Sequence, residues 1–448
     1  MTLMDVLIDF SYISLLLMIG YWLRRHVKIL QHYYIPVALI AGILGLLLGP
    51  QVLGRVSPVC FAYSSSMSQW SGILSTIVFA CSFLGQRLEK VTGGALQTYF
   101  MAGSIHQAQV LAGMTLAIVI GFVIPELPIG FGLLPVLGFY GGHGLAIPAG
   151  RVFDDIGYMT GGSDVAATFA TIGILCGVIW GIIIINRAAR KGQTTVKMKI
   201  EDMPPEELTG YYPPEKRKPM CDSVSSSSTL DPLGSQLLVV GVIILSAYVI
   251  RTNLMAVVPF FTNVPLFAFA LVISAVFTIA TQKSKRVMDM IDRKAIIRIS
   301  GAALEYMIAS NLALTNLSVF VTYAVPLVIM SIAVAAVTYL FSFVISKRVL
   351  YKNGWLETSI GLFGQSCGVL STGLLLLKVV DPDYKTNAAT NITSSSTLGY
   401  TFQLQYTLVF MTLVTTAPMF VYAWSWGLFA ILFGLGLFFG ARAHKRGD

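Results

Sequence analysis

Long apolar blocks separated by short polar loops dominate the pattern of this chain. Blocks close to the ~20 residues needed to cross a hydrocarbon core lie at 6–23, 34–53, 67–86, 98–125 and 163–186, then at 235–251, 262–281, 299–317, 322–346, 398–420 and 423–441. Each predicts a membrane-spanning helix. Two further apolar stretches, 132–152 and 358–379, are interrupted. In the first, Pro135, Gly138, Gly141, Gly142, Gly144, Pro148 and Gly150 deny a continuous helix. In the second, Gly361, Gly364, Gly368 and Gly373 permit a turn. Loose backbone at membrane depth is tolerated only where protein buries it or a water-filled cavity receives it. Both stretches are therefore expected to be re-entrant hairpins, the first turning at Gly141 to Gly144.

The loops set an orientation. Arg24, Arg25 and Lys28 follow the first span, Arg87 and Lys90 the third, and Arg187, Arg190 and Lys191 the fifth. Lys283, Lys285, Arg286, Arg293 and Lys294, then Lys347, Arg348 and Lys352, then Arg442, Lys445 and Arg446 continue the series. The loops at 54–66 and 126–131 carry only Arg55 and Glu126. Placing the basic clusters in the cytoplasm puts the amino terminus outside and the carboxyl terminus inside. A repeat follows from the same count. Residues 1–186 make five crossings with an interrupted stretch at about 132–152, and 235–420 do so again, in the opposite orientation, with one at about 358–379. Ile35-Pro36-Val37 and Val264-Pro265-Leu266 open matching spans. Between the halves, 187–234 is polar and rich in Lys, Glu, Pro and Ser, the composition of a flexible cytoplasmic linker. Residues 421–448 add one more transmembrane helix and a basic tail. The fold expected is thus an all-α integral membrane protein with an inverted-topology repeat, the plan of many secondary transporters. One hairpin would enter from each side, and the tips would meet near the midplane. There helix amino ends favour an anion and freed carbonyls favour a small cation.

Composition excludes a soluble protein of this length: 55% of residues are hydrophobic, 11% are charged and mean hydropathy is +0.76. The formal charge of +9 lies in loops beside apolar segments, which points to a cytoplasmic face and away from nucleic acid. Cys60, Cys81, Cys176, Cys221 and Cys367 have neither metal nor redox spacing. The block from Val6 to Leu23 lacks the positive start and small-residue cleavage site of a signal peptide and counts as a span.

Three runs carry a family resemblance. Tyr34-Ile-Pro-Val-Ala-Leu-Ile-Ala-Gly-Ile-Leu-Gly is the first; Gly141-Gly-His-Gly-Leu-Ala, with Ala167-Thr-Phe-Ala-Thr-Ile-Gly173 after it, is the second; Gly364-Gln-Ser-Cys-Gly-Val-Leu-Ser-Thr-Gly373, with Val380-Asp-Pro-Asp383, is the third. Together they resemble the bacterial sodium/glutamate symporter family over most of 1–420. The resemblance implies sodium-coupled uptake of glutamate or a similar acidic solute across the bacterial inner membrane. It further implies a homodimer in which a transport domain moves against a fixed domain, an elevator-like mechanism, with sodium as coupling ion and no other cofactor.

The residues expected to meet the solute are Gly141, Gly142, His143, Gly144 and Thr168, with Gln365, Ser366, Gly368, Ser371 and Thr372 from the second stretch. Thr171, Gly364 and Cys367 are expected to offer sodium side-chain or backbone oxygens. Each has a plainer reading: His143 can simply bond the broken backbone, and Thr168 and Thr171 can bond back to their own helix carbonyls. Arg151 could meet a carboxylate with its planar guanidinium, but Asp154 and Asp155 follow it within reach of a local ion pair, and Lys378 has Asp381. Asp9 stands near the outer end of the first span, while His106 and Glu305 fall inside apolar spans. Four alternatives stay open: another organic anion as solute, proton coupling through His143 or Glu305, an ion channel, and a membrane enzyme. For the last, His106, His143 and Cys367 match no spacing with a mechanism behind it.

Overall fold

The structure is a computed structural model describing residues 3–86, 92–191, 205–217, 219–258, 261–262, 264–350, 354–381 and 386–446. Arg87, Lys90, Lys352, Pro382 and Asp383 lie outside the described residues. The described residues are helical, with no strand. In chain order the helices are α1 (Leu3–His26), α2 (Lys28–His32), α3 (Val37–Leu48), α4 (Trp70–Ala80), α5 (Gly93–Gly121), α6 (Leu134–Phe139), α7 (Gly142–Asp155), α8 (Gly162–Arg190), α9 (Pro205–Thr209), α10 (Pro232–Val257) and α11 (Leu266–Thr281). They continue with α12 (Lys285–Asp289), α13 (Arg293–Leu314), α14 (Leu317–Thr322), α15 (Ala324–Tyr339), α16 (Ser346–Val349), α17 (Trp355–Ser366), α18 (Leu370–Val380), α19 (Ala388–Gln405), α20 (Met411–Leu413) and α21 (Pro418–Arg446).

Seven helices among the described residues are long and apolar enough to cross a membrane: α1, α5, α8, α10 and α21, and α3 and α15 with the turns that prolong them. This is a multi-pass membrane protein. The eleven expected spans shrink for local reasons. The block at 67–86 yields only the short α4, because a 3-10 turn over Ser65–Gln69 precedes it and the chain bends at Gly85, whose φ is +71°. The unwound end is satisfied by side chains: Arg293 Nη1 donates to the carbonyls of Cys81 (3.0 Å) and Leu84 (2.8 Å), and Thr278 Oγ1 donates to that of Phe83 (3.0 Å). α13 carries Arg298 and Glu305, and α19 carries the polar run Thr393 to Thr397, so neither reaches the hydropathy of a free span.

The chain forms two compact units, and each draws on both halves of the sequence. Unit 1 comprises 1–27, 36–89 and 209–316. Its core gathers Ile13, Leu16, Ala41, Met67, Trp70, Ala309 and Ala313. α3 lies hard against α13, since a Cβ at Gly42 would stand 2.5 Å from Leu312 Cβ and one at Gly45 2.7 Å from Ala313 Cβ. Small residues bring membrane helices this close. Asp9, near the outer end of the first span, is buried, with its carboxylate accepting from the Ser64 backbone (3.0 Å) and hydroxyl (2.5 Å). The end of the segment expected to be a flexible linker is held: Arg25 lies over the Tyr211 ring at 4.2 Å, and the Asp222 N–H donates to Asp292 (2.5 Å).

Unit 2 comprises 28–35, 90–208 and 317–448, and α5 runs through it as a ruler. Near its start a Cβ at Gly94 would stand 2.7 Å from the Asn391 side chain; near its far end one at Gly132 would stand 2.6 Å from the Gly113 carbonyl oxygen. α21 lies antiparallel along α5, pairing Thr115 with Tyr422 (2.8 Å) at one end and Gln97 with the Phe439 carbonyl (3.5 Å) at the other.

Candidate functional site

The first interrupted stretch is a helix pair that reverses. At its entry the Gly130 N–H donates to Tyr158 Oη (3.1 Å). α6 then runs alongside α8 until Phe139 lies beside Gly173. The chain turns at Tyr140 to Gly142, and α7 returns antiparallel to α8 so that Gly150 packs on Gly162. The turn is narrower than the expected Gly141 to Gly144. Only Gly142 takes a left-handed conformation (φ +58°), and Gly144 lies inside α7. Gly144 has its own use there: Pro148, inside the same helix, lacks the N–H that would bond the Gly144 carbonyl, which leaves that oxygen free of its helical partner.

The second stretch behaves alike over a longer range than 358–379. α17 begins at Trp355, α18 ends at Val380, and the break covers Cys367 to Val369. Gly364 lies on Gly373, with a would-be Cβ 2.9 Å from its Cα. The base is closed by Asp381, which accepts from the Thr386 N–H (2.9 Å).

The two pairs enter unit 2 from opposite ends of α5, and their tips touch. A Cβ at Gly142 would fall 2.6 Å from Val369 Cγ1 and one at Gly173 2.6 Å from the Cys367 carbonyl oxygen. Gln365 Nε2 donates to Tyr140 Oη across the junction (3.5 Å). Because both helices break here, the amino ends of α7 and α18 and the carboxyl ends of α6 and α17 converge. Neither α7 nor α18 has a side-chain cap; the Thr372 N–H turns back to the Val369 carbonyl (2.9 Å) and the Gly368 N–H to the Gln365 carbonyl (3.3 Å), while in general helix amino ends favour an anion and carboxyl ends a cation.

Side chains complete the junction. Gln109, from the middle of α5, donates through Nε2 to Thr338 Oγ1 (2.7 Å) and to the Ser366 carbonyl (2.8 Å). Ser366 O can only accept, which fixes the amide orientation. Gln109 Oε1, Gln365 Oε1 and Ser366 Oγ are then buried without a partner among the described residues. Three orphaned oxygens around one break are costly unless something occupies them, and oxygens are what a hard cation such as sodium takes. Thr338 precedes a π-helical turn over Leu340–Ile345, a distortion frequent at functional sites.

The other expected site residues sort by position. His143 is buried, with Nε2 3.0 Å from Thr171 Oγ1. Thr171 spends its own proton on the Ala167 carbonyl (3.0 Å), so the proton between them belongs to His143 Nε2. Thr168 donates to the Asp164 carbonyl of its own helix (2.7 Å). Cys367 and Gly368 lie in the break and Gly364 in the last turn of α17 before it; Thr372 is buried beside it, while Ser371, Gly141 and Gly144 keep some exposure. Away from the tips, Arg151 pairs with Asp155 (2.9 Å). Gln109, Tyr140 and Thr338 were not anticipated. The polar run Ser104-Ile-His-Gln-Ala-Gln109 inside a long apolar helix was the available signal. His106, in that run, is packed by the rings of Tyr140, Phe402 and Tyr406 at 5.1–5.2 Å.

Compared with known proteins, residues 2–384 match the family model of the sodium/glutamate symporter, which covers most of the chain. No curated protein matches it.

Proposed function

Since this chain belongs to the sodium/glutamate symporter family, and is on that ground a sodium-coupled transporter, we propose that the paired tips of unit 2 are where sodium and an acidic amino acid such as glutamate bind. The observation that carries this reading is the meeting of two broken helix pairs around Gln109 Oε1, Gln365 Oε1 and Ser366 Oγ, all buried and unpartnered among the described residues. Sodium takes these oxygens together with freed carbonyls of Gly364 and Cys367, and Thr171 holds His143 in place beside them. The solute carboxylate lies against the uncapped amino ends of α7 and α18, reached from the exposed side of Gly141, Gly144 and Ser371. Sodium neutralises the orphaned oxygens and orders the second tip, so the solute meets a site already formed; that difference in order is the coupling free energy.

Each helix pair acts as a re-entrant hairpin, one from either face of the membrane, within an inverted repeat whose halves are α1 to α8 and α10 to α19. The tip pair belongs wholly to unit 2, which supports an elevator-like movement of unit 2 as the carrier and unit 1 as the fixed body. By the distribution of Lys and Arg the amino terminus faces outward in a bacterial inner membrane, and the protein works as a homodimer.

The test is uptake of radiolabelled glutamate into proteoliposomes with sodium or choline outside. Saturable uptake that requires the sodium gradient is expected. Uptake that persists in choline and follows an imposed pH gradient would instead assign the coupling to protons and to His143. Flux that does not saturate would make the protein a channel.

A further inference from the structure

Beside the first tip, and wholly within unit 2, lies a buried box of rings that the sodium and helix-end contacts leave unused. His106 of α5 stands 5.1 Å from the ring of Tyr140, at the turn, and 5.2 Å from those of Phe402 and Tyr406. Hydrogen bonds fix where the protons are. Tyr406 Oη donates to Gln107 Oε1 (2.6 Å), which turns the Gln107 amide nitrogen toward His106 Nδ1 (3.3 Å). An amide nitrogen only donates, so Nδ1 accepts and the neutral ring carries its proton on Nε2. From the other side Gln365 Nε2 donates to Tyr140 Oη (3.5 Å), so the phenol's own proton is left over. Among the described residues nothing accepts a hydrogen bond from His106 Nε2 or from Tyr140 Oη. Two buried donors in one box thus lack an acceptor, a cost that an occupant would remove.

We propose that His106 Nε2 and Tyr140 Oη hold the side-chain carboxylate of the solute, which makes this box the part of the site that separates an acidic from a neutral amino acid. A carboxylate is an acceptor at every lone pair, and hydrogen bonds to an ionised oxygen are stronger than those to a neutral amide. Dry surroundings enlarge that difference. The proposal rests on the reading of the tips as the solute site and gives that site its second end. Tyr140 is two residues before Gly142, the first residue of α7, so their Cα atoms lie at most ~7.6 Å apart. Glutamate, with three carbons between its carboxylates, reaches across such a gap, one carboxylate at the amino end of α7 and the other in the box. Sodium takes part indirectly. Held on Gln365 Oε1, it keeps the amide nitrogen toward Tyr140 and so leaves the phenol proton for the solute.

The experiment is sodium-driven uptake of radiolabelled glutamate into proteoliposomes, competed by unlabelled glutamate or glutamine. In the parent, glutamate should compete at the lower concentration. Tyr140→Phe keeps the ring and removes only the hydroxyl; its half-maximal glutamate concentration should rise about tenfold or more, the cost of a lost hydrogen bond to a charged group, while that of glutamine rises less. Thermal shifts of the purified variant with either amino acid in sodium give the same comparison where uptake is slow. At position 106 the two roles separate: His106→Gln brings an amide donor near the place of Nε2, whereas His106→Phe keeps aromatic packing without a donor. Glutamate affinity should survive better in His106→Gln. Better survival in His106→Phe, or equal losses for glutamate and glutamine in Tyr140→Phe, would overturn the proposal and leave the box as ring packing with the N–H against a ring face. So would a parent for which glutamine competes as well as glutamate. A parent without sodium-driven glutamate uptake would defeat the reading of the tips itself, and this inference with it.

Discussion

Gln109 and Gly142 hold the junction for opposite reasons, one by what it donates and the other by what it lacks. Replacing Gln109 with Leu keeps the volume but strands the Ser366 carbonyl and removes one of the proposed sodium ligands. A buried acceptor left unpaired costs ~1–3 kcal/mol. The sodium concentration for half-maximal uptake should therefore rise about tenfold or more, the equivalent of ~1.4 kcal/mol; an unchanged sodium dependence would remove Gln109 from the site. At Gly142, alanine meets two obstacles: the left-handed backbone, worth roughly 1–2 kcal/mol, and Val369 Cγ1 at 2.6 Å. Gly142→Ala should reduce uptake per reconstituted protein by at least about tenfold. Adding Val369→Ala should recover the steric share and leave the backbone share. Full activity in the single variant would show that the tips need not touch.

At the scale of elements, the hairpins depend on glycine pairs that let backbones meet. A Cβ at Gly150 would fall 2.7 Å from Ser163 Cα, whereas Gly157, in the turn that follows, faces open space although its φ is +67°. Gly150→Ala should therefore lower the melting temperature of the purified protein more than Gly157→Ala. The former carries the cost of overpacking, typically ~1–3 kcal/mol, and the latter backbone strain alone. Equal shifts would mean that α7 and α8 can separate without loss. α21 is a different kind of element, since it lies beyond the matched segment 2–384. It covers α5 from Thr115 to Gln97, and its Ser425 bonds the buried Tyr406 (2.7 Å), which in turn donates to Gln107 (2.6 Å). Truncation before Pro418 should expose that face and deplete folded protein from the membrane. A stable, active truncated chain would reduce α21 to an accessory.

For the whole molecule, two units with separate cores are what a moving carrier and a fixed frame require. If unit 2 carries the site across the membrane, Ser371→Cys, in a background whose five native cysteines are replaced, should react with an impermeant maleimide at a rate that changes when sodium and glutamate are added together. Identical rates with and without both would speak against movement of the tips.

Sequence alone determined the membrane class, the two interrupted stretches and the family, because all three are local matters. Hydropathy sums over ~20 residues, glycine and proline act on their own backbone, and Gly141-Gly-His-Gly and Gly364-Gln-Ser-Cys-Gly are contiguous. The junction of the tips was half legible for the same reason: the two breaks are local, and so are Gly142 and His143, but the bond of Gln109 is not. Its place in the junction comes from a hydrogen bond to Ser366, 257 residues away in the chain, and nothing local distinguishes it from its neighbour Gln107. Tertiary structure decided the rest. It shortened α4 by capping its end with Arg293, buried Asp9 against Ser64, and sorted the helices of both halves into two cores. Such outcomes depend on which polar group finds a partner after the helices pack, and in an apolar surrounding that pairing is worth more than any residue's own preference.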